Sequence, residues 1–81
     1  VAEEKTVSDR VRAVIAEDLG KSIDEIQPDK TFEDLGCDSM DLLSSLFALE
    51  GEFDVEIGED GPTMNSTVGD LINRVEGRIN G

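Results

Sequence analysis

The sequence predicts an all-helical fold. Three segments repeat apolar residues at the period of a helix, while strand signals are poor. Only 53–57 alternates apolar with acidic residues, and it is short and has no partner run. The chain's 81 residues suit one small domain, and 3 Phe with no Trp or Tyr make its core aliphatic.

The first predicted helix runs from about Ser8 to Leu19. Val7, Val11, Val14, Ile15 and Leu19 share one face. Thr6 followed by Asp9 resembles a capping box, and Gly20 is a natural stop. A long connection follows, from Gly20 to Asp38. Ile23, Ile26, Phe32 and Leu35 are spaced to pin it onto a core, and Ser22 to Glu25 reads as one capped turn ended by Pro28. The second helix runs from about Ser39 to Phe53. Leu42, Leu46, Leu49 and Phe53 form one stripe, and Met40, Leu43 and Phe47 form another roughly 120° away. The second stripe is either a wide core face or an apolar patch left for a ligand or partner. The last helix runs from about Val68 to Ile79 along Val68, Leu71, Ile72, Val75 and Ile79, capped by Ser66 or Thr67. Gly69 and Gly77 weaken it by roughly 1 kcal/mol each relative to Ala.

Twenty acids against seven Lys and Arg give a net charge of -13. No cation lies between Thr31 and Asn73, a stretch with eleven of the acids. A field of that sign repels phosphate backbones, so no nucleic-acid partner is expected. It suits a basic partner surface, or simply a solvated face. No apolar run is long enough to span a membrane, and no signal-peptide pattern opens the chain, so a cytoplasmic location is expected. A single Cys excludes an intramolecular disulfide and a Cys-based zinc site. The absence of His removes the usual Ser and Cys nucleophile partners, so no enzyme and no metal site are expected. Asp54, Glu56, Glu59 and Asp60 lack the ligand spacing of a calcium loop.

The informative motif is Asp34-Leu35-Gly36-Cys37-Asp38-Ser39-Met40, just before the second helix. Gly36 permits a tight turn, and Asp38 or Ser39 takes the N-cap. Ser39 is either that cap and nothing more, or an exposed hydroxyl beside unpaired N–H groups that favour an attached phosphate. With no base beside it, Ser39 is not a nucleophile unaided, though another enzyme can modify it.

These residues resemble the acyl carrier protein family. Residues 34–40 are similar to its D-L-G-x-D-S-[LM] signature. Ala48-Leu49-Glu50 through Phe53-Asp54-Val55-Glu56-Ile57 are similar to its A-L-E-x-x-F-x-[IV]-x-I continuation, and Thr67-Val68-Gly69-Asp70 to its T-V-x-D start of the last helix. The likeness covers about residues 7–79. It implies a single carrier domain over 1–81, folded as a four-helix bundle with a long first loop and a short, weak third helix near Ile57 to Thr63. It implies that Ser39 carries 4'-phosphopantetheine from coenzyme A, attached by a phosphopantetheinyl transferase with help from Asp38. The arm then holds acyl groups as thioesters. Asp38, Asp41 and Glu50 would dock basic patches of acyl-transferring and chain-elongating enzymes, with apolar contacts from Met40, Leu43 and Phe47. Leu42, Leu46, Leu49 and Phe53 would line an acyl-chain pocket. The carrier is expected to be a monomer.

The chain departs from the family's pattern in places. Met40 replaces the commoner Leu. Ser44 and Gly51 stand where docking acids are usual, Ser45 where an inward apolar residue is usual, and Gly61-Pro62 interrupts the short third helix. Cys37 stands where small residues are usual and reads as a filler, since no neighbouring cation or His lowers its pKa. These departures point to a specialised carrier for fatty-acid or related lipid and polyketide synthesis. The alternatives are an aminoacyl or polyketide carrier domain of a larger synthase and an unmodified acidic helical adaptor.

Overall fold

The computed structural model describes residues 6–57 and 62–80. Helix α1 spans Val7–Leu19, α2 spans Ser39–Phe53 and α3 spans Val68–Asn80, with one 3-10 turn at Ile23–Glu25. The regular structure among the described residues is thus all-helical, apart from an isolated antiparallel bridge between Thr31 and Thr67.

Each helix starts where a side chain meets its orphan N–H groups. Thr6 accepts from the Asp9 N–H at 3.1 Å. At α3 the cap is Thr67: its hydroxyl accepts from Asp70 N–H at 3.1 Å, and the Asp70 carboxylate accepts from Thr67 N–H at 3.0 Å. The same reciprocal box closes the 3-10 turn through Ser22 and Glu25. Helix α1 ends at Gly20, in the left-handed region at φ 68°. There Lys21 N–H reaches Ala16 C=O at 2.9 Å and Gly20 N–H reaches Glu17 C=O at 3.3 Å, a Schellman closure.

The core collects the inward stripes: Val11 and Ile15 from α1, Leu46 and Leu49 from α2, Leu71 and Val75 from α3. Two residues of the long connection, Ile26 and Phe32, are as fully buried as any of these. Leu35 packs half-buried against the same cluster. Ile23 does not pin the loop with its side chain, which is exposed. Its carbonyl does so instead, accepting from Arg12 Nη2 at 3.1 Å while Arg12 Nε donates to Ile26 C=O at 2.7 Å. The loop also reaches α3. Pro28 and Lys30 carbonyls accept from the first N–H groups of that helix, Gly69 at 2.9 Å and Val68 at 2.8 Å. This close approach gives Gly69 a reason: a Cβ there would stand 3.1 Å from the Pro28 carbonyl oxygen.

The strand-like alternation of 53–57 forms no strand. Phe53 ends α2, and Asp54 caps it in the left-handed region at φ 54°. Ile57 then turns inward, buried. Of the short third helix expected near Ile57 to Thr63, the described residues Ile57, Pro62 and Thr63 are not helical, and the rest lies outside the described residues. Among the described residues three α-helices are therefore counted where four were expected. At Pro62 the missing N–H removes one helical hydrogen bond.

Candidate functional site

The approach to Ser39 is built from backbone-directed acids. The Asp34 carboxylate accepts from Thr31 N–H at 3.1 Å, and the Thr31 hydroxyl accepts from Asp34 N–H at 2.9 Å. The Thr31 backbone bond, then the Thr31 side chain, hold the Asp34 carboxyl below the usual aspartate range. Phe32, beside this turn, is its buried anchor. Gly36 follows in the left-handed region at φ 77°. Cys37 N–H then bonds back to Phe32 C=O at 3.0 Å, completing the reversal that aims the chain into α2.

The N-cap is Asp38. Its Oδ1 accepts from Asp41 N–H at 3.0 Å, and Asp41 Oδ2 accepts from Asp38 N–H at 3.2 Å. Ser39 is therefore the first helical residue and is not the cap. Its hydroxyl is exposed and has no hydrogen-bond partner among the described residues, nor do the N–H groups of Ser39 and Met40. An exposed hydroxyl oxygen thus stands free beside two unspent donors at the positive end of a helix.

Cys37 is half-buried two residues away. Burial, and then the Asp41 charge, push its thiol above the usual range, so it stays protonated near neutral pH. It fills space and is a poor nucleophile. Among the described residues no group of His, Cys, Asp and Glu is arranged to hold a metal ion.

The outer stripe of α2 divides. Met40 is 70% and Phe47 is 58% exposed, while Leu43 packs half-buried against the core. With Ser39 they lie within about 100° on one side of α2, whereas Asp41 projects about 100° beyond Met40 and Asp38 caps the helix start. Glu50 lies further along and is partly engaged in the fold: its Oε2 accepts from Ile57 N–H at 2.8 Å. Leu42, Leu46 and Leu49 are buried in the core, and Phe53 lies half-buried under the Arg10 guanidinium, 4.5 Å from its ring centre. None of these four lines the open groove of about 620 Å³ between α1 and α2, or the smaller one near Pro62 and Arg74.

Sequence reasoning missed Asp18. Ser44 Oγ donates to its Oδ1 at 2.9 Å and Ser45 Oγ donates to its Oδ2 at 3.0 Å. Its partners lie more than 25 residues away, so no local pattern points to it. The box at Thr31 and Asp34 was missed as well, although it repeats the three-residue spacing of Thr67 and Asp70 and so carries a local signal.

The family model described as "Phosphopantetheine attachment site" matches residues 9–75. A curated "Acyl carrier protein" of Sulfurovum sp. (strain NBC37-1) is 45% identical over 69 residues, covering 84% of this chain and 92% of that protein.

Proposed function

Because the chain belongs to the acyl carrier proteins of the phosphopantetheine attachment family, we propose that Ser39 is the residue that bears its 4'-phosphopantetheine arm. The protein is a carrier and not an enzyme: the arm is covalent, and its thiol holds acyl groups as thioesters. The observation that carries the Ser39 assignment is the cap of α2. Asp38 takes the capping duty, which leaves the Ser39 hydroxyl exposed on the first helical residue. The unspent N–H groups of Ser39 and Met40 suit a phosphodiester, and the charge of Asp38 beside Ser39 suits the transferase's magnesium ion.

The partners are a phosphopantetheinyl transferase and acyl-transferring and elongating enzymes with basic docking patches. Asp38, Asp41 and Glu50 supply charge, while Met40, Phe47 and the outer edge of Leu43 supply apolar contact. An acyl chain would lie beside Leu42, Leu46, Leu49 and Phe53, which must part to admit it. The same reading makes the chain one carrier domain, monomeric and cytoplasmic. No described helix is long and apolar enough to cross a membrane.

The test is one-step loading. Incubation with an acyl-coenzyme A and a broad-specificity phosphopantetheinyl transferase should add one acylated arm per chain. Neutral hydroxylamine should then release the acyl group, as it does from a thioester. Ser39→Ala should gain nothing. A gain on the alanine variant would sink the assignment.

A further inference from the structure

We propose that Asp18 of α1 is a docking residue of this carrier, fixed by Ser44 and Ser45 of α2 to receive a basic side chain of the partner enzyme. This rests on the reading of Ser39 given above. Position 44 is a serine where a docking acid is expected, and the structure brings a carboxylate from the neighbouring helix to that serine. The charge that α2 lacks there is supplied from α1.

The geometry favours a contact surface over a purely internal bond. Ser45 is fully buried and is the one buried polar residue among those described, whereas Asp18 is exposed. One hydroxyl occupies each carboxylate oxygen, and each oxygen keeps room for a second acceptor bond. A guanidinium or ammonium approaching from solvent would meet both oxygens already oriented. Holding them in place in the free protein lowers the ordering cost of binding.

The surroundings state what the occupant is. Asp18 lines the groove between α1 and α2 with Ala13, Val14, Glu17 and Ala48, so small apolar residues floor a cleft with an acidic rim. The cation of this groove, Arg10, is spent on Glu52 at 3.1 Å and on the Phe53 ring. Asp18 has no ion pair among the described residues. Ser44 lies five residues beyond Ser39, about 7–8 Å along the helix axis, well within the footprint of one partner.

A structural clamp needs acceptor oxygens, whereas docking needs charge. Asp18→Asn keeps an acceptor and removes the charge, and Asp18→Glu keeps the charge. The assay measures kcat and KM of a phosphopantetheinyl transferase, with coenzyme A, for each variant across a salt series, alongside its Tm. Asp18→Asn should lower kcat/KM about three-fold at low salt, through KM, with a shallower salt dependence. Asp18→Glu should recover most of it. Ser44→Ala keeps the charge and the Ser45 bond but frees one oxygen. It should cost less than about two-fold, with the parent's salt dependence. The proposal is overturned if Asp18→Asn matches the parent at every salt concentration, or if Asp18→Glu fails to recover the loss. Should Asp18→Asn not fold, Asp18→Ala with Ser45→Ala removes the charge together with the buried hydroxyl that needs it, and a parent-like kcat/KM at every salt concentration then overturns the proposal. A parent chain that gains no arm refutes the Ser39 reading itself, a separate outcome.

Discussion

The connection from Gly20 to Asp38 and the outer face of α2 invert the usual association between regular structure and burial. The connection has almost no regular structure, yet Ile26 and Phe32 are completely buried. Its carbonyls cap α3, and two more hold Arg12. The face of α2 belongs to an unbroken helix, yet Met40 and Phe47 stand in solvent. The loop is irregular because its backbone groups bond to other elements, and it is held as tightly as they are. The α2 face is rigid because its own ladder is complete, which frees its side chains for an outside surface. The loop thus shares in the buried core, while under the proposed function the exposed α2 face is left for partners.

The largest expected effect tests that division directly. Phe32→Ala empties a fully enclosed site and should destabilise the protein by about 3–5 kcal/mol. Phe47→Ala removes a ring of similar size from the surface and should change stability by less than about 0.5 kcal/mol. Urea unfolding of both variants measures the difference. Equal losses would mean that the α2 face is part of the core.

A glycine pair sharpens the comparison at α3. Gly69→Ala would push a methyl group against the Pro28 carbonyl oxygen at 3.1 Å, where the loop docks, and should cost about 1–3 kcal/mol. Gly77→Ala meets nothing within 4 Å and should instead stabilise by about 0.5–1 kcal/mol through helix propensity. Opposite shifts in Tm are expected. Two shifts of the same sign would show that the loop yields at Pro28.

How far the sequence revealed these features depends on how local they are. The bounds of α2 and the half-burial of Leu35 follow from patterns within a few residues, and the same kind of pattern narrowed the α3 cap to Ser66 or Thr67. The motif around Ser39 was legible for the same reason. Choosing between Asp38 and Ser39 as the cap was not, because both types cap helices and only the backbone of Asp38, extended at φ -109°, decides. The Asp18 bonds, the Arg12 clamp and the contact of Gly69 with Pro28 join residues distant in sequence, so no period or spacing announces them. The exposure of Ile23 belongs with these, since Arg12 holds its carbonyl while its side chain faces out.

The smallest effect concerns acid. Asp34 has a lowered carboxyl pKa in the fold, so its contribution is present above the ordinary aspartate value of about 3.9 and is lost as pH falls through the folded value. In Asp34→Asn this part of the acid sensitivity should disappear, leaving a flatter stability profile below pH ~4. Urea midpoints collected from neutral pH downward would measure it. A profile parallel to that of the parent would mean that the Thr31 turn opens before Asp34 is protonated.

Localising the arm tests the central claim most directly. The parent chain is converted with coenzyme A and a phosphopantetheinyl transferase, fully reduced, digested and fragmented by tandem mass spectrometry. The phosphopantetheinyl mass should begin at the fragment that includes Ser39 and be absent from fragments ending at Asp38. Placement on Cys37, Ser44 or any other residue would contradict the account.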